Sequence, residues 1–135
     1  MPRLRHLGLS RTRLEEGHLR VLSETSQIES LYLYRADITD GAVDALRGFS
    51  HLKRLSLRGT AASDSWGQVL GQLTSLEELD LSQTSLGPEI MDSLENLPKL
   101  RKLNTSWTNI TGRAIVQFQK QNPACEFVWD GDRYR

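Results

Sequence analysis

Side chains suited to covalent or metal chemistry are sparse in these 135 residues: three histidines, His6, His18 and His51, and one cysteine, Cys125. A histidine can ligate a metal or carry a proton, and a cysteine beside a histidine can act as a nucleophile. Either task needs several such groups to converge on one point. The histidines fall at different phases of the sequence's internal rhythm, and Cys125 has no histidine in phase with it. Asp130-Gly131-Asp132 could touch a cation, although two carboxylates in a C-terminal tail are more often simply solvated. Glycines such as Gly48 and Gly71 fall at turns and build no phosphate cradle. Asn104-Thr105-Ser106 and Asn109-Ile110-Thr111 match the glycosylation triplet, but the first falls on a strand and no secretory signal precedes either. The expectation is a protein that is not an enzyme, with no catalytic residue, metal or cofactor.

A second kind of chemistry, non-covalent recognition, is better served. Tyr32, Tyr34, Arg35, Arg58, Asp80 and Trp107 include the residue types that dominate protein-binding hot spots. Tyr32 and Tyr34 are two apart, so on a strand both rings share one face. Arg58 lies 24 residues after Tyr34, and a stacked Arg–Tyr pair becomes possible if that spacing brings them side by side. A structural role stays open, because tyrosine has good strand propensity and covers its neighbours.

The spacing that would assemble these side chains is a repeat. Leu4, Ile28, Leu52, Leu76 and Leu100 recur every 24 residues without insertion. Three positions on come Leu7, Leu31, Leu55, Leu79 and Leu103, then Leu9, Leu33, Leu57 and Leu81, with Thr105 as the departure. A small residue follows (Thr12, Ala36, Thr60, Thr84, Thr108), and two later another apolar one (Leu14, Ile38, Ala62, Leu86, Ile110). The two-residue alternation predicts a short strand with one buried face. Downstream the period becomes helical, as in Ala42, Leu46 and Phe49, or Trp66, Leu70 and Leu73, or Ile90, Leu94 and Leu97, or Ala114 and Phe118. Helix starts are expected at Thr39 or Asp40, Ser63 or Asp64, Pro88 as a first helical residue, and Thr111. The first unit is weakest, with His18 at its first helical core position and Thr25 at its last.

One such unit cannot bury both a strand face and a helix face, whereas stacked units can. Strands stack about 4.8 Å apart and helices about 10 Å, so the stack must curve with its strands on the concave side. The string Leu76-Glu77-Glu78-Leu79-Asp80-Leu81-Ser82-Gln83-Thr84-Ser85-Leu86 resembles the leucine-rich-repeat signature. Unit length and helical second half look like the ribonuclease-inhibitor-like branch, and threonine at the ladder position is similar to short repeats of bacterial proteins. Ala36 departs from that column. The resemblance covers essentially the whole chain. It implies an α/β leucine-rich-repeat solenoid, a right-handed horseshoe segment with parallel strands inside and helices outside. One domain, 1–135, is expected, with repeats starting at 4, 28, 52, 76 and 100 and a closing strand at 124–130 built on Ala124, Phe127 and Trp129.

On that frame the concave rows are Gly8, Tyr32, Ser56, Asp80, Asn104 and Val128, then Ser10, Tyr34, Arg58, Ser82, Ser106 and Asp130. At the strand ends follow Arg11, Arg35, Gly59, Gln83, Trp107 and Gly131. A varied row on a regular frame is the pattern of a recognition surface, and the expected partner is another protein. Six strands span roughly 24 Å, room for one helix, loop or strand of that partner. Opposite charges on neighbouring strands, such as Lys53 and Arg54 beside Glu77 and Glu78, can pair across the ladder. Lys plus Arg and Asp plus Glu are equal at 17 each, which leaves no footprint for nucleic acid or an anionic membrane. A single cysteine and the lack of a signal-peptide core favour a cytoplasmic setting. Leu4, Leu7, Leu9 and Leu14 begin at residue 4, with no earlier unit to cover them. A second expectation is therefore self-association through that N-terminal end, or origin in a longer array.

Overall fold

The computed structural model describes residues 4–25 and 27–130, apart from the side chain of Thr25. The expectations on Thr25, Gly131 and Asp132 lie outside the described residues. Each unit starts with a three-residue strand: β1 (His6–Gly8), β3 (Ser30–Tyr32), β5 (Arg54–Ser56), β6 (Glu78–Asp80), β7 (Lys102–Asn104) and β8 (Glu126–Val128). Among the described residues these form one six-stranded sheet in the order β1-β3-β5-β6-β7-β8. All neighbours are parallel, and Leu7, Leu31, Leu55, Leu79, Leu103 and Phe127 stand opposite one another. A sequence step of one unit is thus a spatial step of one strand. A small second ladder joins β2 (Arg13–Leu14) to β4 (Asp37–Ile38).

The core runs the length of the stack. Ile28, Leu31, Leu33, Leu55, Leu57, Leu76, Leu79, Leu81 and Leu103 are buried from the strand side. Each such leucine contributes roughly 1.5–3 kcal/mol of transfer free energy. The ladder threonines close the turn after each strand: the hydroxyls of Thr60, Thr84 and Thr108 donate to the carbonyls of Leu57, Leu81 and Thr105, each at 2.7 Å.

The outer side carries α1 (Glu16–Thr25), α2 (Asp40–Asp44), α3 (Gly67–Leu70), α4 (Ile90–Leu94) and α5 (Gly112–Gln121). Only the first and last run ten residues. In the middle units the helical pattern is shared with 3₁₀ turns at Ala45–Gly48 and Asp64–Trp66, so Phe49 and Leu73 pack from beyond the helix ends. Thr39 and Thr111 cap α2 and α5 by accepting the N–H groups of Ala42 and Ala114. Pro88 is not the first helical residue. It lies in the turn before α4, where Met91 N–H already donates to the Pro88 carbonyl at 3.1 Å.

His18 is corrected too. It is exposed, and Leu19 is the fully buried residue of α1. A helix face wide enough for a core holds adjacent positions, as Ala42 with Val43 and Ile90 with Met91 show, and the first unit uses the second of the pair. His18 instead accepts the N–H of Glu15 through Nδ1 at 3.1 Å, closing the helix start. At the other end, pairing is confined to Glu126–Val128; Ala124 is exposed, while Phe127 and Trp129 pack on the core. Helix packing is tight where Gly71 passes α4, since a Cβ there would meet the Ser93 carbonyl oxygen at 2.5 Å.

Candidate recognition surface

The parallel register sets Gly8, Tyr32, Ser56, Asp80, Asn104 and Val128 in one outward row of the sheet. Tyr32 is 43% exposed on it. Two residues on, Tyr34 is half-buried because arginines surround its ring. The guanidinium carbon of Arg35 stands 5.3 Å from the ring centroid, that of Arg58 5.6 Å and that of Arg11 6.0 Å. The expected Arg58–Tyr34 contact is present, and two further arginines join it.

Backbone geometry explains the gathering. Arg11, Arg35, Gln83 and Trp107 have φ of 57°, 53°, 58° and 60°, and Gly59 has 73°. This left-handed turn ends the strand in every unit and aims each N–H at the following strand. Arg11 donates to the Tyr34 carbonyl at 2.9 Å and Arg35 to the Arg58 carbonyl at 2.8 Å. Gly59, the only glycine of the column among the described residues, was a sequence signal of that conformation. A Cβ on Gly59 would meet Arg35 Cγ at 2.8 Å, so the missing side chain is what lets Arg35 lie across towards Tyr34.

The other expected contacts are dispersed. Asp80 has a holding role: its Oδ1 accepts the N–H of Ser82 at 2.9 Å and the Ser82 hydroxyl at 2.6 Å. Trp107 is 53% exposed and donates its backbone N–H to Asp130 Oδ1 at 3.0 Å. It stands three ladder steps from Tyr34, about 14 Å away. Between these groups Tyr32, Arg54, Ser56, Glu78, Asp80 and Lys102 line a groove of about 270 Å³.

Charge on the rows nearer the strand starts is largely paired. Glu29 lies between Arg5 and Lys53 (3.1 Å to Lys53), and hydrogen bonds from first Arg5 and then Lys53 hold its carboxyl down at about 2. Arg54 Nε meets Glu78 at 2.8 Å, a bond that raises the guanidinium pKa further, and Arg101 reaches both Glu77 and Glu78. Cys125 is buried, and burial, then the charge of Glu126, pushes its thiol up to about 11. Protonated at neutral pH, it is a poor nucleophile. Among the described residues no group of three His, Cys, Asp or Glu is placed to hold a metal ion, and no helix is long and apolar enough to cross a membrane.

The leucine-rich-repeat family model matches residues 75–97. No curated protein sequence matches the chain significantly. Among solved structures, a leucine-rich-repeat protein of Leptospira interrogans is similar at 24% identity with a TM-score of 0.55, over 74% of this chain and 25% of its own. The chain thus spans about a quarter of that protein's length. Internalin C2 of Listeria monocytogenes aligns at 18% identity and a TM-score of 0.49, over 91% of this chain and 69% of its own. The internalin inlF of the same species aligns at 21% and 0.47, over 98% and 48%. The fold is an α/β leucine-rich-repeat solenoid.

Proposed function

We propose that this chain is a protein–protein interaction scaffold, without catalytic activity, that holds a partner on its concave strand face. The fold class supports this, because leucine-rich-repeat solenoids generally mediate protein–protein interaction. The observation that carries it is the tyrosine–arginine cluster exposed on an otherwise regular ladder, with Tyr32, Tyr34, Arg35 and Arg58 as central contacts. Asp80 and Trp107 are contacts farther along the same face. A patch of about 800 Å² per partner would occupy most of that face. The 24-residue unit with a helical second half and threonine in the ladder supports a place in the ribonuclease-inhibitor-like branch with bacterial-type repeats. The single free Cys125 supports a cytoplasmic setting.

The test is affinity capture from the source cell with the intact chain as bait. Replacing Tyr32→Ala together with Tyr34→Ala should reduce retention of the captured partner at least about ten-fold while the melting temperature stays nearly unchanged. A large fall in melting temperature would mark the tyrosines as structural and remove them from the contact surface.

A second reading rests on the other end of the stack. Leu4, Leu7 and Leu9 are only partly buried, whereas Leu31 and Leu33 in the same columns are 0% exposed. The outer edge of β1 has no strand beside it among the described residues. Such an end is suited to self-association or to continuation of a longer array.

A further inference from the structure

Arg11, Arg35 and Arg58 come from three successive units and converge on Tyr34, yet all three are exposed. Among the described residues none of them meets a carboxylate. By contrast Arg5, Arg13, Arg20, Arg47, Lys53, Arg54 and Arg101 each pair with one. In a chain with equal numbers of acids and bases, Arg5, Lys53, Arg54 and Arg101 nearer the strand starts have found partners, and this cluster has not. Three guanidinium groups held round one ring repel one another, and the ring's negative face offsets only part of that.

The cluster is also held at a cost. Arg11 and Arg35 occupy the left-handed region that a glycine would enter freely, as Gly59 does in the same column. Gly59 in turn vacates the space that Arg35 crosses. The same turn recurs at Gln83 and Trp107, so it belongs to the fold; what sets this cluster apart is the uncompensated charge that the turn gathers.

We propose that the Arg11–Arg35–Arg58 cluster docks an acidic peptide segment of the partner protein, with the Tyr32 and Tyr34 rings packing against its backbone. This rests on the concave-face reading and names the chemistry of what is bound there. Three adjacent strands span about 10 Å, and alternate side chains of an extended segment stand about 7 Å apart. Two carboxylates of one segment therefore fit, each on a guanidinium fork that matches carboxylate geometry. A nucleic acid is disfavoured, since a phosphate chain continuing along the rows would run onto Asp80 and then Asp130.

The test is fluorescence anisotropy on the intact chain with three labelled probes: a short peptide with aspartate at alternate positions, the same peptide with lysine instead, and an oligothymidylate. The acidic peptide should bind, the lysine peptide should not, and added salt should weaken the complex. Arg35→Gly and Arg58→Gln should each weaken it at least about ten-fold. Arg35→Gly should do so with a melting temperature no lower than that of the parent, because glycine relieves the left-handed turn, and this separates lost binding from lost folding. The proposal is overturned if the acidic peptide binds no better than the lysine peptide, if either substitution leaves its affinity unchanged, or if the oligothymidylate binds more tightly. Should the acidic peptide fail while partner capture still depends on Tyr32 and Tyr34, only the acidic assignment is lost. If both fail, the concave-face reading falls with it.

Discussion

Between strand and ladder turn, threonine has two fates, decided by column. In the ladder, Thr60, Thr84 and Thr108 reach back to a carbonyl and close the turn. Thr105 sits instead where Leu9, Leu33, Leu57 and Leu81 stand in the other units, fully buried, and its hydroxyl has no partner among the described residues. A buried hydroxyl without a hydrogen bond costs about 1–3 kcal/mol. Thr105→Val keeps the shape and removes the group, so it should raise stability by about 1 kcal/mol, read as an increase of roughly 3–5 °C in melting temperature. A lower melting temperature would mean that the hydroxyl finds a partner in solution. The departure itself was legible in the sequence. The burial of its oxygen was not, because that depends on what the neighbouring turns put around it.

Strands and turns set the next scale. The charge pairs Arg5–Glu29–Lys53 and Glu77–Arg101 exist because a parallel ladder with a one-unit register puts like columns side by side. Glu29 shows the pH consequence. Its carboxyl sits at about 2 in the folded chain against an ordinary 4.5, so folding is favoured by the ionised form. That contribution is complete above about pH 4.5 and drains away as pH falls towards 2. Urea titrations across this window should show a shallower loss of stability on acidification in Glu29→Gln than in the parent; equal slopes would place the ion pairs outside the folding balance. The turn after each strand has its own test. Gly59→Ala places a Cβ at φ 73° and 2.8 Å from Arg35 Cγ. The change should cost about 1–2 kcal/mol by chemical denaturation and loosen the arginines around Tyr34. An unchanged midpoint would mean that the turn tolerates a side chain as easily as it does at Gln83.

At the scale of the molecule, stability passes from unit to neighbouring unit along a quasi-linear stack, and its two ends differ. The β8 end is backed by Phe127, whose ring meets Phe118 edge-on at 5.4 Å, and by Trp129. The β1 end leaves Leu7 and Leu9 partly open. If that end associates, the mass measured by light scattering should rise with protein concentration. A mass fixed at one chain across the range would dismiss self-association and leave the scaffold reading untouched.

The residue pattern by itself determined the solenoid, the register and the outward rows. A 24-residue repeat of strand and helix signals can bury its leucines only by stacking in phase, and in-phase stacking dictates which side chains stand beside which. Tyr34 beside Arg58 follows from that arithmetic alone. Which neighbour of a helical pair turns inward was beyond it, since His18 and Leu19 lie close enough on a wheel for either to face the core. The short middle helices and the left-handed turns were also beyond it. Tertiary structure decided those, because the next strand's carbonyls must be met by the N–H groups of residues 11, 35, 59 and 83, and positive φ is how the chain reaches them. That same constraint brings Arg11 and Arg35 to Tyr34.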